Sequence, residues 1–270
     1  MDKKTIGIVG CGAIGSALAE YAHKEMTSYI GNIILWDVDG EKADSLAKKL
    51  RNVTISRNLD DLVENADIVI EAASPAAVPD VFKAIIEKQK DIIIMSIGGL
   101  LGNEHLLGSC REKGIRVILP SGAIAGIDAL NASKISGLES VMITTRKPPR
   151  SIKGAPYLAE KGIDVDLLTE ETVIFEGNAL EAIKGFPKNV NVSALLSIAG
   201  LGSEKTKVRI IVSPEYTKNS HEVEIISKAG KVITRTENVP SPSNPKTSYL
   251  AALAGITSLR GYFDTIRIGT

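Results

Sequence analysis

The chain has 270 residues, and its 32 basic and 32 acidic side chains cancel to a formal net charge of zero. It therefore lacks the electrostatic footprint of a dedicated nucleic-acid or anionic-membrane binder. The length predicts two domains, and the two cysteines, Cys11 and Cys110, have neither CxxC nor Cys/His spacing, which argues against a disulfide framework and a zinc site.

The N-terminal residues enter an apolar strand at once, without the apolar stretch of a signal peptide. No apolar run reaches the ~18 residues of a membrane span. Cytoplasm is the expected compartment.

Thr5 to Val9 reads as a strand that feeds directly into Gly10-x-Gly12-x-x-Gly15, and Ile14, Leu18, Tyr21 and Ala22 then recur at helical spacing. In a dinucleotide-binding turn, Gly10 permits the sharp bend, Gly12 lets the backbone approach a pyrophosphate, and Gly15 lets the helix pack on its strand. The N–H groups around Cys11, Ala13 and Ile14 then meet the phosphates at the positive end of the helix. Alone, three such glycines are weak evidence. Here a second strand, Asn32 to Trp36, ends in Asp37, about twenty residues further on, where a carboxylate reaches the adenosine ribose hydroxyls. Asp37 repels a 2′-phosphate and Val38-Asp39-Gly40 offers no cation, so NAD is expected over NADP.

A helix over Glu41 to Arg51 and a short strand at Val53 to Ile55 follow. A polar helix carries Asp60, Asp61 and Glu64 as a solvated face, and a strand runs from Asp67 to Glu71. The small residues Ala72, Ala73 and Ser74 end that strand and leave room for ribose and nicotinamide, while Pro75 suits the first turn of a helix reaching Lys88. A buried strand Ile92 to Met95, a glycine-bearing turn Ser96 to Gly99, a helix Gly102 to Lys113 and a sixth strand Arg116 to Leu119 complete a doubly wound α/β pattern, the Rossmann arrangement of a parallel sheet with helices on both faces.

The alternation stops at Pro120-Ser-Gly-Ala-Ile-Ala-Gly126, where the domain junction is expected. Period-two runs at Ser140–Arg146, Thr172–Phe175, Lys207–Val212, Glu222–Ile226 and Lys231–Arg235 predict a mixed or antiparallel sheet in a second, α+β domain. Helical patterns cover Ala179–Lys184 and Asn191–Ala199, and residues 147–156 read as an irregular loop. After the connector Pro240 to Pro245, an apolar helix from Ser248 to about Tyr262 is expected to return to the first domain, capped by Ser243 or Asn244 with Pro245 in its first turn. The domains are thus 1–120 with 241–270, and 121–240.

A nicotinamide enzyme needs a proton carrier and groups that hold substrate. Histidine is the usual carrier. His23 and His105 fall on helices and read as surface residues. His221 follows Lys218-Asn219-Ser220 in what reads as a polar turn between strands; it is either the catalyst or an exposed turn histidine. Asn189 either caps the helix that follows it or bonds a carboxamide such as that of nicotinamide. Lys188 and Lys246 are candidates for a substrate carboxylate, against the alternative of solvated lysines. Cys11, inside the phosphate turn, reads as a packing residue.

Together, Gly10 to Gly15, Pro120 to Gly126, Phe186-Pro-Lys-Asn-Val-Asn191, His221-Glu-Val-Glu224 and Asn244-Pro-Lys-Thr-Ser-Tyr249 resemble the L-aspartate dehydrogenase family, in order and from end to end. The resemblance implies reversible NAD(P)-dependent oxidation of L-aspartate to iminoaspartate, which hydrolyses to oxaloacetate and ammonia and supplies NAD biosynthesis. It also implies a homodimer paired through the second-domain sheet, with His221 at the catalytic position and Ala123 and Asn189 at cofactor-contacting ones. The family tolerates both coenzymes. For the two substrate carboxylates the expected partners are Lys188, the backbone around Ser121 and Gly122, and Lys246-Thr247-Ser248. Two other readings remain: a homoserine- or dihydrodipicolinate-type enzyme, or a non-catalytic dinucleotide sensor.

Overall fold

The computed structural model describes residues 2–187, 191–242 and 244–269, with the side chains of 244–246 outside the description. Two compact units emerge, one of Met1–Pro120 with Ala251–Arg267, the other centred on Ser121–Leu250.

In the first unit, β1 (Lys4–Val9), α1 (Ala13–Glu25), β2 (Ile30–Trp36), α2 (Gly40–Ala47), β3 (Val53–Ile55), α3 (Leu59–Asn65), β4 (Ile68–Glu71), α4 (Val78–Lys88), β5 (Asp91–Ile94), α5 (His105–Glu112) and β6 (Val117–Ile118) follow in order. The strands lie β3-β2-β1-β4-β5-β6, every pairing parallel. This is the doubly wound Rossmann order, whose strand order reverses beside β1 and β4. Strands covered on both faces must be apolar throughout, and Ile6, Ile8, Val9, Ile68, Val69, Ile70, Ile92, Ile93 and Ile94 are fully buried. Each such side chain contributes about 1.5–3 kcal/mol by leaving water.

Three predicted helices begin late or end early. The one expected over Glu41–Arg51 stops at Ala47, because the chain must reverse into β3, and Asn52 takes a positive φ of 54° in doing so. That expected from Pro75 opens as a 3-10 turn over Pro75–Ala77. The third begins at His105, after Gly102 turns at φ +83°.

The second unit adds α6 (Ile127–Ser136), β7 (Leu138–Lys147), α7 (Pro156–Lys161), β8 (Thr172–Asn178), α8 (Ala179–Gly185), α9 (Asn191–Ala199), β9 (Lys207–Val212), β10 (Asn219–Ser227) and β11 (Gly230–Asn238). Its sheet runs β11-β10-β7-β9-β8, mixed because β7 and β9 are parallel while the other neighbours are antiparallel. Helices α6 and α8 lie against its strands, and α9 packs on both of them. The sequence pattern misses α6 and α7. The first has little amphipathic contrast, and the second is a short helix that opens at Pro156, where the predicted loop ends.

Two expectations near the C-terminus are corrected. β12 (Pro240–Ser241) pairs antiparallel with β13 (Asn244–Ser248), so Pro245 lies in a strand and α10 (Tyr249–Phe263) starts after it. The cap proposed for Asn244 is therefore excluded, and Ser243 lies outside the described residues. The second unit extends to Leu250, so the first unit regains the chain at Ala251 rather than at 241. Beyond it, α10 buries Ile256 and Leu259 in the first unit's core, and Tyr262 donates to Asp91 at 2.9 Å.

Candidate active site

Both groups of candidate residues are built by strand ends. In the first unit the chain leaves β1 through Gly10, whose φ of +96° suits glycine. A Cβ on Gly10 would meet the Ala72 backbone at 2.7 Å, and one on Gly15 would overlap the Gly10 carbonyl oxygen, whereas one on Gly12 would meet nothing within 4 Å. Two glycines thus allow the turn to close, and the third leaves open space in front of it. No side chain caps α1, so the N–H groups at its start, at Ala13 and Ile14, face an anion site without competition from a cap.

Asp37 stands beside this turn. Its Oδ2 accepts from the Cys11 N–H at 2.7 Å and its Oδ1 from the Asp39 N–H at 2.9 Å. Burial, reinforced by the Asp37 charge, pushes the Cys11 thiol up to about 12, which rules out a thiolate nucleophile at neutral pH.

Behind Ala72, Ala73 and Ser74 lies Glu71, fully buried at the end of β4. Its Oε1 accepts from the Ala73 N–H at 2.8 Å and its Oε2 from the Ser96 N–H at 2.9 Å. Burial raises its carboxyl pKa, and these N–H donors oppose that shift. Sequence reading treats Glu71 only as the end of a strand where a turn begins. An acid closing the apolar run Ile68-Val-Ile is the available signal.

In the second unit, His221 is not in a turn. It lies inside β10, 7% exposed, paired with Thr145 of β7 and Thr236 of β11. The expected turn is corrected because Asn219 and Ser220 already belong to the ladder. His221 Nδ1 is 3.0 Å from Thr145 Oγ1. Burial, with a smaller contribution from the Lys147 charge, lowers its pKa to about 3, so the imidazole is neutral at physiological pH.

Around it, Thr236 Oγ1 donates to the Ala123 carbonyl at 2.9 Å, Asn238 Nδ2 donates to the same carbonyl at 3.0 Å, and Ser248 Oγ donates to Asn238 Oδ1 at 2.9 Å. The fold thereby gathers His221, Ala123 and Ser248. Thr247 lines a small polar cleft with Ser248, Asn238, Asn219, Lys218 and Arg150. Ser121 and Gly122 lie in the loop before Ala123, with Gly122 at φ +64°. Lys188 and Asn189, and the Lys246 side chain, lie outside the described residues. Thr145, Lys147, Asn219, Thr236 and Asn238 escape sequence reading. For Lys147 a signal exists, since it shares the buried register of Val141, Ile143 and Thr145.

No group of His, Cys, Asp or Glu among the described residues could hold a metal, and no described helix is long and apolar enough to cross a membrane. The parallel sheet, the open space at Gly12 and the uncapped α1 fit a dinucleotide pyrophosphate. The first unit is that of an NAD(P)-dependent, Rossmann-type oxidoreductase.

Comparisons with known proteins narrow the class. Residues 10–120 match the NAD-binding domain model of homoserine dehydrogenase, and residues 128–262 match the C-terminal domain model of aspartate dehydrogenase. L-aspartate dehydrogenase of Methanococcoides burtonii is 42% identical, covering 98% of this chain and 99% of its own. That of Methanocella arvoryzae is 44% identical over the same shares. The crystal structure of aspartate dehydrogenase from Thermotoga maritima superposes with a TM-score of 0.79 at 29% identity, covering 99% of this chain and all of that one. The chain belongs to the L-aspartate dehydrogenase family.

Proposed function

We propose that the chain catalyses NAD(P)-linked oxidation of L-aspartate to iminoaspartate, which water converts to oxaloacetate and ammonia, with His221 as the proton acceptor. When bound, NAD(P) supplies the hydride acceptor. The Gly10–Gly15 turn and the start of α1 hold its phosphates, Asp37 its adenosine ribose, and Ala72, Ala73, Ser74, Ala123 and Asn189 its remaining contacts. The observation that carries the reading is the neutral, buried His221 fixed by Thr145. With Nδ1–H donated to Thr145 Oγ1, Nε2 keeps its lone pair for the proton that the substrate amine loses, and can return it in the reverse direction. The Asp37 carboxylate favours NAD over NADP.

The reading extends to a cytoplasmic homodimer that supplies iminoaspartate to NAD biosynthesis. The sheet face presenting Met142, Glu224 and the 56%-exposed Ile233 supports the pairing surface. Ser121, Gly122, Lys188, Lys246, Thr247 and Ser248 remain proposed substrate contacts. Initial rates with L-aspartate, D-aspartate, L-glutamate and L-homoserine, each with NAD and NADP, test the assignment. Turnover is expected for L-aspartate with NAD foremost; turnover confined to homoserine would replace it with the homoserine-type enzyme.

A further inference from the structure

Among the described residues, two buried side-chain polar atoms lack a hydrogen-bond partner, Arg146 Nη1 and Asn219 Oδ1. Arg146 Nη1 still has the Glu222 carboxylate at 3.5 Å. Asn219 Oδ1 has no such ion pair, and a buried acceptor left unpaired costs stability. Such exceptions concentrate where a ligand completes the network.

Its place in the sheet is a second, independent observation. Asn219 and His221 both lie in β10, two residues apart, and so present their side chains on the same face. On β11, Asn238 stands opposite Asn219 and Thr236 opposite His221. Both of those partners donate to the Ala123 carbonyl, and Ser248 Oγ donates to Asn238 Oδ1, so these donors are directed away from Asn219. Asn219 also lines the polar cleft with Arg150, Lys218, Thr247 and Ser248. Two cations there draw in carboxylates. An ammonium group on the same molecule then needs an acceptor, and Asn219 Oδ1 is one.

We propose that Asn219 Oδ1 holds the α-amine of the substrate while His221 takes its proton. This rests on the L-aspartate dehydrogenase reading above. Positions two residues apart on an antiparallel strand are about 6.8 Å apart at Cα. A tetrahedral nitrogen with a hydrogen bond of about 2.9 Å to each of two atoms bridges roughly 5 Å between them. Side chains leaning toward one another over that strand spacing can meet it from both sides. His221 Nε2 then removes one proton from the ammonium group, leaving a neutral amine. As the hydride departs from Cα to the coenzyme, the nitrogen lone pair becomes the second bond of C=N, and the nitrogen keeps two N–H bonds and gains positive charge. The Asn219 carbonyl dipole is aimed at that charge, so its bond strengthens as the reaction proceeds. In the reverse direction the same oxygen accepts from the nitrogen that ammonia contributes.

The test runs the full-length enzyme in the direction of amination, with oxaloacetate, ammonia and NADH, in wild type, Asn219→Leu and Asn219→Asp. Leucine keeps the size and removes the acceptor; aspartate keeps an acceptor and removes the Nδ2 donor. Asn219→Leu is expected to raise KM for ammonia at least 30-fold, with KM for oxaloacetate at saturating ammonia within threefold and the Kd for NADH within twofold. Asn219→Asp should hold KM for ammonia within tenfold of wild type. A folded leucine variant whose KM for ammonia stays within threefold overturns the proposal. So does an aspartate variant that loses as much as the leucine one, which would give the role to the Nδ2 donor, and so does a Kd for NADH raised at least tenfold, which would place Asn219 on the coenzyme. Asn219→Ala, read the same way, serves if the leucine variant does not fold. Failure of the wild type both to aminate oxaloacetate and to oxidise L-aspartate would instead remove the dehydrogenase reading.

Discussion

His221 Nδ1 lies 3.0 Å from Thr145 Oγ1 across two adjacent strands, so a residue on β7 fixes the orientation of the proposed proton acceptor on β10. His221→Asn is expected to lower kcat at least 10³-fold while the Kd for NADH stays within about threefold. Equal losses in both would assign the histidine a structural role. Thr145→Val keeps the shape and removes the hydroxyl, and should cost about tenfold in kcat with a smaller effect on KM.

The same histidine predicts a pH dependence of stability. Its folded-state pKa of about 3 lies below the unfolded value of 6.5, so between those values the unfolded chain binds the extra proton. Its contribution is therefore intact above about pH 6.5 and is lost as pH falls toward 3. Thermal melts from pH 7.5 to 4.5 should show the wild type losing Tm more steeply than His221→Asn. Parallel curves would mean the imidazole is solvated.

Gly12 and Gly15 separate binding from folding. A Cβ on Gly15 overlaps the Gly10 carbonyl oxygen, which the backbone must move to relieve, while a Cβ on Gly12 meets nothing within 4 Å. Gly15→Ala is expected to lower Tm by several degrees and to abolish NADH binding. Gly12→Ala should leave Tm nearly unchanged and still weaken NADH at least tenfold, because the methyl fills space reserved for the pyrophosphate. Quenching of the single tryptophan, Trp36 at the end of β2, gives a readout next to Asp37.

Asp37 braces the glycine turn through Cys11, and in the proposed reading its carboxylate also sets coenzyme choice. The next residue, Val38, is 89% exposed and tolerates a long cation. Asp37→Ser with Val38→Arg should shift the kcat/KM ratio of NADP to NAD upward by at least 100-fold. A ratio moved less than threefold would show that discrimination lies elsewhere.

Glu71 uses both carboxylate oxygens as acceptors, from Ala73 and Ser96. A glutamine offers one acceptor and one donor, so one N–H would face an amide N–H in the core. Glu71→Gln is expected to cost about 1–3 kcal/mol and to weaken NADH by loosening residues 72–74. Urea unfolding and NADH titration check the two effects separately.

The first unit could be read from the order of its residues alone. Its central strands carry apolar runs, its glycines sit at the bends, and an acid follows β2, all local features that survive without tertiary knowledge. It also supplied the second sheet through period-two alternation, and His221 as the candidate among three histidines. That His221 lies in a strand rather than a turn came from packing, because a polar run such as Lys218 to Ser220 carries no periodicity, and pairing with β7 and β11 overrides its turn propensity. The same holds for β12 and β13, where strand pairing overrode the proline signals. Thr145 became legible only when register set it beside His221, a residue distant in the chain. Register is a property of two strands together, and neither strand's residues state it alone.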